Sequence, residues 1–265
     1  AMMYLAGHGV EQSDVEAARW FLNAARQGDP VAQDNLGMMY LAGRGVTPDD
    51  AEAVMWYSQA AEQGHVHAQT TMGMMYKEGR GVAQSDAEAA KWFLKAAKQE
   101  DVKAQFNLAL MYLEGRGVVQ NDAEAAHWFL KAAEREDVKA QFNLGMMYQE
   151  GRGVAQSDAE AAKWFLKAAE QEDDKAQFNL GMMYRNGLGV AQDDAEAAKW
   201  FLKAAEQENE KAQFNVGWMY QEGEGVPQNF AESVRWYQKA AQQGNADAQF
   251  NLGVKYFYGE GVAQD

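Results

Sequence analysis

A fixed spacing of 36 residues between equivalent aromatic residues constrains the fold of this chain more than any other feature. One Trp and one Tyr recur at this spacing, and the sequence around each changes little. They are Trp20, Trp56, Trp92, Trp128, Trp164, Trp200 and Trp236, and Tyr4, Tyr40, Tyr76, Tyr112, Tyr148, Tyr184, Tyr220 and Tyr256. Units of this length bury their apolar faces against their neighbours, so the sequence predicts stacked repeats without a single central core.

The first half of each repeat predicts a helix that ends at paired glycines. In the repeat that contains Tyr148, Leu144 and Met147 fall on one side at helical spacing, and Gly145 on that side lets a second helix approach closely. Gly151 and Gly153 follow the last apolar residue. Glycine adopts the left-handed conformation that ends a helix, so we expect the helix to stop at this pair.

The second half of each repeat predicts another helix, which begins at a capping box. Ser157 is followed three residues later by Glu160, and the apolar stripe behind them contains Phe165 with Trp164 beside it. The same pair of positions recurs at Ser13 and Glu16, Asp49 and Glu52, Ser85 and Glu88, Asn121 and Glu124, Asp193 and Glu196, and Asn229 and Glu232. The sequence therefore predicts two helices per repeat and an all-α fold.

The pattern A-x-x-x-L-G-x-x-Y-x-x-G-x-G-V, followed by A-x-x-W-F/Y-x-x-A-A, resembles the Sel-one-like repeat (SLR) family, a relative of the tetratricopeptide repeat with a longer loop. The resemblance covers the whole chain. It implies a right-handed α/α superhelix, or solenoid, of antiparallel helix pairs, in which the first helices line the concave side. We expect residues 1–265 to form one such solenoid of seven complete helix pairs with partial repeats at both ends, as a fragment of a longer array.

The sequence departs from the family pattern at two positions. Glycine usually stands in the turn from a second helix to the next first helix, as at Gly28, Gly64 and Gly244, but the middle repeats carry Glu100, Glu136, Glu172 and Glu208. A non-glycine residue in the left-handed region costs about 1 kcal/mol, so we expect these turns to adopt a different conformation. Ala109 replaces the packing glycine of the first helix, and we expect its methyl group to separate one helix pair slightly.

Composition argues against several function classes. The formal charge of −15 disfavours a nucleic-acid partner or an anionic membrane surface, because both require a basic patch. The chain has no cysteine, and no apolar run is long enough to span a bilayer, so we expect no thiolate chemistry and no membrane insertion. The paired glycines lack the Lys-Ser/Thr of a phosphate loop. We therefore expect no cofactor and no catalytic residues.

The four histidines offer little support for a metal site. His65 and His67 are the only close pair. Two residues apart on a helix, their side chains would point to different sides, so we expect surface histidines in a turn between helices and no metal ligands.

Side chains opposite the packed face of the first helix form rows when repeats stack, and these rows are the candidate partner-binding surface. Amides can bond the backbone of an extended peptide, and Phe and Met add apolar contact. The candidate residues are Asn107, Asn143, Asn179, Asn215 and Asn251; Lys103, Lys139, Lys175 and Lys211; Phe106, Phe142, Phe178 and Phe214; and Met146, Met182 and Trp218. Three alternatives stay open: the Phe row as a secondary core, the Asn row as caps or water-binding groups, and the Lys row as a solvated face.

These observations predict a non-catalytic scaffold or adaptor that binds another protein or an extended peptide on its concave surface. The resemblance leaves two further possibilities. One is an inhibitor or immunity protein that neutralises a bacterial secreted effector such as a lipase, since an acidic surface could cover a basic target. The more remote one is a hydrolase, although no nucleophile stands beside a base. Relatives in bacteria are often exported, which favours a periplasmic or secreted location.

Overall fold

The computed structural model describes residues 1–6, 9 and 11–262, so His8 lies outside the described residues. Over these ranges the regular structure is 15 helices, without strands, which confirms the predicted all-α repeat fold. The helices are α1 (Met2–Ala6), α2 (Asp14–Arg26), α3 (Pro30–Ala42), α4 (Asp50–Glu62), α5 (Val66–Glu78), α6 (Asp86–Ala97), α7 (Val102–Glu114), α8 (Asp122–Ala133), α9 (Val138–Glu150), α10 (Asp158–Glu170), α11 (Asp174–Asn186), α12 (Asp194–Glu206), α13 (Glu210–Glu222), α14 (Phe230–Gln242) and α15 (Ala246–Tyr258).

The chain divides into two compact units, Ala1–Arg135 and Glu136–Asp265. Odd-numbered helices are the first helices of the repeats and even-numbered helices are the second helices. Within the first unit, α3 packs on α4, α5 on α6 and α7 on α8; within the second, α9 packs on α10, α11 on α12 and α13 on α14. Inside each unit a second helix also packs on the first helix that follows it. Each unit is therefore a stack of helix pairs.

The tryptophans join neighbouring repeats. In the first unit, Trp56 packs against the core of α2 and α3, Trp92 against that of α4 and α5, and Trp128 against that of α6 and α7. In the second unit, Trp200 and Trp236 occupy the same place on the preceding helices. Because each of these five cores is completed by a ring from the next repeat, the apolar surface of such a hairpin is buried only when its neighbour is present.

Small residues allow the two helices of a pair to approach. A Cβ on Gly145 would lie 2.8 Å from a ring carbon of Phe165, closer than van der Waals contact permits. At the equivalent place in α7, Ala109 is fully buried, and α7 still packs on α8. The ring of Phe129 is inclined by 60° to its neighbour Phe106, whereas the equivalent angle for Phe165 is 45°.

The predicted starts of the second helices are confirmed. The Ser157 hydroxyl accepts a hydrogen bond from the backbone N–H of Glu160 at 3.2 Å, and the cap at the other six predicted positions accepts from the equivalent Glu. The first helices are capped as well, which the sequence analysis did not anticipate. Their caps are Asp29, His65, Asp101, Asp137, Asp173, Asn209 and Asn245.

The two glycines of each pair have different tasks. Gly187, with φ of 66°, ends α11 in the left-handed conformation, as predicted. Gly189 lies so close to the start of α10 that a Cβ on it would be 2.2 Å from the carbonyl carbon of Asp158. The second glycine therefore lets the loop of one repeat rest on the backbone of the preceding repeat.

The expectation that the middle turns change conformation is wrong. Glu100, Glu136, Glu172 and Glu208 have φ of 65° to 66°, in the same left-handed region as the glycines of the outer turns. The hydrogen bonds are also the same: the N–H of Asp173 donates to Ala168, as that of His65 does to Ala60. A Cβ at Gly64 would meet nothing within 4 Å. A side chain therefore fits in this turn, and the repeat keeps its geometry at the cost of backbone strain.

Candidate binding surface

The phenylalanines of the candidate surface are half-buried, and each lies beside an aromatic ring of its own repeat. In the second unit the ring centroids of Phe142 and Phe165 are 5.8 Å apart, and those of Phe178 and Phe201 are 5.7 Å apart. Phe106 in the first unit and Phe214 in the second make the same contact with the next helix. One side of each ring therefore contributes to packing, and the remainder is exposed.

The asparagines of the row already use their side-chain amides in hydrogen bonds within the protein. The side-chain amides of Asn107, Asn143 and Asn215 donate to the carbonyl four residues earlier, at 2.9, 2.7 and 2.8 Å. Asn251 hydrogen-bonds Tyr237, whose pKa burial raises to about 12. Asn179 differs, because its amide donates to the sulfur of Met146 at 3.7 Å, a weak bond.

The remaining candidate residues lie either on the outside of this face or against the core. Lys103, Lys139, Lys175 and Lys211 are exposed. Met182 and Trp218 are half-buried against the core of α12 and α13. The Trp218 ring is covered by the Arg185 guanidinium, whose central carbon is 4.1 Å from the ring centroid, and the same Arg185 donates to Asn215.

One cavity in the second unit brings six of the candidate residues together. It has a volume of about 380 Å³ and spans three successive first helices, α9, α11 and the start of α13. It is lined by Phe142, Met146, Lys175, Phe178, Asn179, Asn209, Glu210 and Lys211. We call it the α9–α11–α13 cavity. Its floor is apolar and its rim carries two lysines, so it can accept an apolar side chain with a polar or acidic neighbour.

The aromatic row begins only at Phe106, because the two preceding repeats carry polar residues at this position, which the sequence analysis missed. Asp34 and Thr70 occupy the positions that Phe106 and Phe142 hold in later repeats. Asp34 is 7 % exposed and Thr70 donates to Asp101 at 3.0 Å. This departure from the repeat pattern is visible in the sequence and was the available signal.

His65 and His67 do not behave as predicted, since both approach one carboxylate. Their Nδ1 atoms lie 3.5 and 2.7 Å from Oδ1 of Asp34. His65 precedes α5 in an extended conformation and caps it, so the two residues do not follow helical geometry and the expected divergence is wrong. Burial, and next the Asp34 charge, raise the pKa of the neighbouring Tyr57.

The described part of the chain contains no group of three or more His, Cys, Asp and Glu side chains arranged to hold a metal ion. None of its helices is both long enough and apolar enough to cross a bilayer.

Two solved structures are similar to this chain over nearly its whole length. A protective antigen present in uropathogenic Escherichia coli strains displaying an SLR fold is 37% identical, with a TM-score of 0.90; the match covers 100% of this chain and 64% of that protein. This chain therefore spans less than two thirds of that relative's length. A Sel1 repeat protein from Oxalobacter formigenes is 39% identical over 95% of this chain and 73% of that one, with a TM-score of 0.74. No curated protein sequence was found to be significantly similar.

An immunity protein from Pseudomonas aeruginosa has a lower similarity, 23% identity and a TM-score of 0.45, over 74% of each chain, and this level of similarity does not bear on function. The model of the Sel1 repeat matches eight consecutive segments, residues 1–29, 30–65, 66–101, 102–137, 138–173, 174–209, 210–245 and 246–265. With every segment matched in turn, the chain belongs to the Sel1 repeat family.

Proposed function

We propose that this protein is a non-catalytic adaptor that binds a partner protein through the α9–α11–α13 cavity. Sel1 repeat proteins are typically scaffolds for protein interactions. The observation that carries the proposal is the convergence of Phe142, Phe178 and Asn179 on one cavity, although they come from two different repeats. The partner would be an extended segment whose apolar side chain enters between the two rings.

The charges around the cavity favour a partner segment with acidic residues beside the apolar one. Lys175 and Lys211 on the rim are exposed. Glu210, the carboxylate on the rim, already accepts a hydrogen bond from Asn245 at 2.6 Å. A partner carboxylate near the two lysines would gain a favourable interaction, which is modest because both lysines are solvated.

Asn179 supplies the polar contact that such a segment needs. Asn107, Asn143 and Asn215 donate to the backbone of their own helices, whereas Asn179 donates only to a sulfur atom. A backbone carbonyl of a bound peptide is a stronger acceptor than a thioether, so the amide can exchange one for the other at little cost.

The test compares affinity capture by the native protein and by two double variants. Phe178→Ala with Asn179→Ala removes the floor and the amide, and should lose the partner that the native protein captures. Lys163→Ala with Lys199→Ala changes two exposed lysines on second helices, which pair with Glu160 and Glu196, and should retain it. Circular dichroism establishes that all variants are folded. Equal capture by both double variants would refute the proposed cavity.

The captured protein must then bind directly when both components are purified. Its identity separates a general adaptor from an inhibitor of a secreted effector, because an inhibitor should abolish an enzymatic activity of the captured protein. A partner that binds with unchanged affinity after Phe142→Ala and Phe178→Ala would place the interaction elsewhere on the molecule.

A further inference from the structure

A ladder of glutamine side chains links the turns of successive repeats. Gln33, for example, donates to the carbonyl of Ala25 at 3.1 Å and accepts from Gln63 at 2.7 Å, so both ends of its buried amide are used. In each pair the glutamine that donates comes 30 residues after the glutamine that accepts. The other pairs are Gln69 with Gln99, Gln141 with Gln171, Gln177 with Gln207, and Gln213 with Gln243.

The ladder is interrupted at Gln105. Arg135 stands where the other repeats have the donating glutamine, and its guanidinium bonds the carboxylate of Glu100 instead. Gln105 still donates to Ala97 at 3.2 Å, but within the described residues its side-chain oxygen has no hydrogen-bond partner. Gln105 is only 3 % exposed. A buried acceptor without a donor costs roughly 1 to 3 kcal/mol, so this oxygen favours any ligand that can supply one.

Gln105 is one of the residues that line a cavity of about 370 Å³ in the first unit. The indole N–H of Trp128 lines the same cavity and is also buried without an acceptor in the described structure. Lys98, Lys131 and Arg135 surround them. The cavity is therefore lined by residues with one unpaired acceptor and one unpaired donor, by three cationic groups and by the carboxylates of Glu100 and Glu134, and we call it the Gln105 cavity.

Within the described residues, Lys131 differs from its equivalents in other repeats because its ammonium group does not lie over the ring of Trp128, so it can pair with an anion in the cavity. In four other repeats the equivalent lysine lies 3.8 to 4.4 Å above the tryptophan ring. These pairs are Lys95 with Trp92, Lys167 with Trp164, Lys203 with Trp200, and Lys239 with Trp236. Trp128 instead contacts His127, with ring centroids 5.1 Å apart.

The equivalent cavity in the second unit provides an internal comparison. It measures about 310 Å³ and is lined by Gln213, Lys239 and Gln243, together with Glu206 and Glu208. There Gln243 donates to Gln213 at 2.9 Å and Lys239 covers Trp236. Carboxylates outnumber cations in that cavity, whereas cations outnumber carboxylates around Gln105. The unpaired glutamine oxygen and the excess of cations thus occur together in one repeat, whereas a buried indole N–H without an acceptor is also found at Trp56 and Trp164 in the described structure.

We propose that the Gln105 cavity binds the carboxyl terminus of a peptide. The N–H of the terminal residue would donate to Gln105, and the terminal carboxylate would accept from Trp128 and pair with Lys131 and Arg135. A simple anion satisfies the cations but leaves the Gln105 oxygen unpaired. A peptide terminus carries an N–H donor immediately beside its carboxylate, so it satisfies both requirements. This site is separate from the α9–α11–α13 cavity and does not depend on it.

The test is a calorimetric titration of the full chain with three probes: N-acetyl-Ala-Ala with a free carboxyl group, the same dipeptide as its carboxamide, and acetate. The free acid should bind at least tenfold more tightly than either of the others. Equal binding of acetate would reduce the site to a general anion site. Equal binding of the carboxamide, or no detectable binding of the free acid at millimolar concentration, would overturn the proposal.

Two substitutions place the binding in the cavity. Arg135→Gln restores the ladder, so the introduced amide should donate to the Gln105 oxygen. The affinity for the free-acid dipeptide should then fall at least tenfold, while the melting temperature of the protein does not fall. Lys131→Gln should also lower the affinity for the free acid, whereas Lys167→Gln, at the equivalent position of another repeat, should leave that affinity unchanged. Binding that survives Arg135→Gln, or is lost equally with Lys167→Gln, would contradict this assignment.

Discussion

Nδ1 of His67 lies 2.7 Å from Oδ1 of Asp34, a buried carboxylate contributed by the preceding repeat. The hydrogen bond to Asp34 raises the pKa of His67, and it outweighs burial, which acts in the opposite direction. The charges of Asp34 and Asp101 also raise this pKa and that of Lys103 lowers it. His65 faces the same carboxylate. A titratable contact therefore joins two repeats.

The His67 contact predicts a fall in stability as the pH rises. Because the folded-state pKa is raised, the contribution is fully present below the usual histidine pKa of about 6.5 and is lost as the pH passes through the folded value. The effect should be below about 1 kcal/mol, since the imidazole is more than half exposed and screened by solvent. Urea unfolding at pH 6 and pH 8 measures it.

The control for this pH dependence is His67→Gln, which keeps a hydrogen-bond donor but cannot titrate. The difference in unfolding free energy between the two pH values should shrink in this variant. An unchanged difference would assign the pH dependence to other groups.

Glu172→Gly should stabilise the protein by about 1 kcal/mol. Glu172 has φ of 65°, and glycine adopts this conformation without the steric penalty of a side chain. The matched control is Glu170→Gly, which removes the same charge from the last residue of α10 and should destabilise the helix. Thermal unfolding compares the two. A lower melting temperature for Glu172→Gly would show that chain entropy outweighs the strain.

Gly189→Ala should destabilise the protein more than Gly187→Ala. Both glycines have positive φ, 69° and 66°, so each substitution strains the backbone by about 1 kcal/mol. A Cβ at Gly187 would be 3.4 Å from its nearest neighbour, whereas one at Gly189 would be 2.2 Å from the backbone of Asp158. The extra cost reports the close approach of successive repeats. Equal unfolding midpoints for the two variants would argue against that approach.

Trp236→Ala should cost about 3 to 5 kcal/mol, because this ring is 6 % exposed and completes the core of α12 and α13. Trp20→Ala is the control at the equivalent position of another repeat. Trp20 is 51 % exposed, so its removal should cost much less. Chemical unfolding of both variants measures the difference, and similar losses would contradict a stacking role for this tryptophan.

The helices, their caps and their paired glycines could be predicted because they depend on local chemistry repeated at a fixed spacing. Ser157 and Glu160 identify a helix start without knowledge of the tertiary structure. The conformation at Glu172 could not be predicted in this way. Local preference argues against positive φ there, and the hydrogen bonds and stacking of the repeat impose it regardless.

The candidate surface depends on contacts between repeats, so the sequence identified its rows but not the state of each member. Asn143 and Asn179 have the same neighbours in sequence, yet one donates to its own helix and the other to Met146. Asp34 and Arg135 replace the usual residue at one repeat each, and an interpretation based on the common pattern passes over such exceptions. Positions that break the pattern are therefore one source of the chemical differences between repeats.

Because each glutamate with positive φ strains the backbone, the total strain rises with the number of repeats that carry one. Four turns in succession carry the same unfavourable backbone, at Glu100, Glu136, Glu172 and Glu208. A gene that lengthens by duplicating this unit would add one such penalty with every copy, together with one new stacking interface. Growth of the array is therefore tolerable only while each interface is worth more than the turn that comes with it.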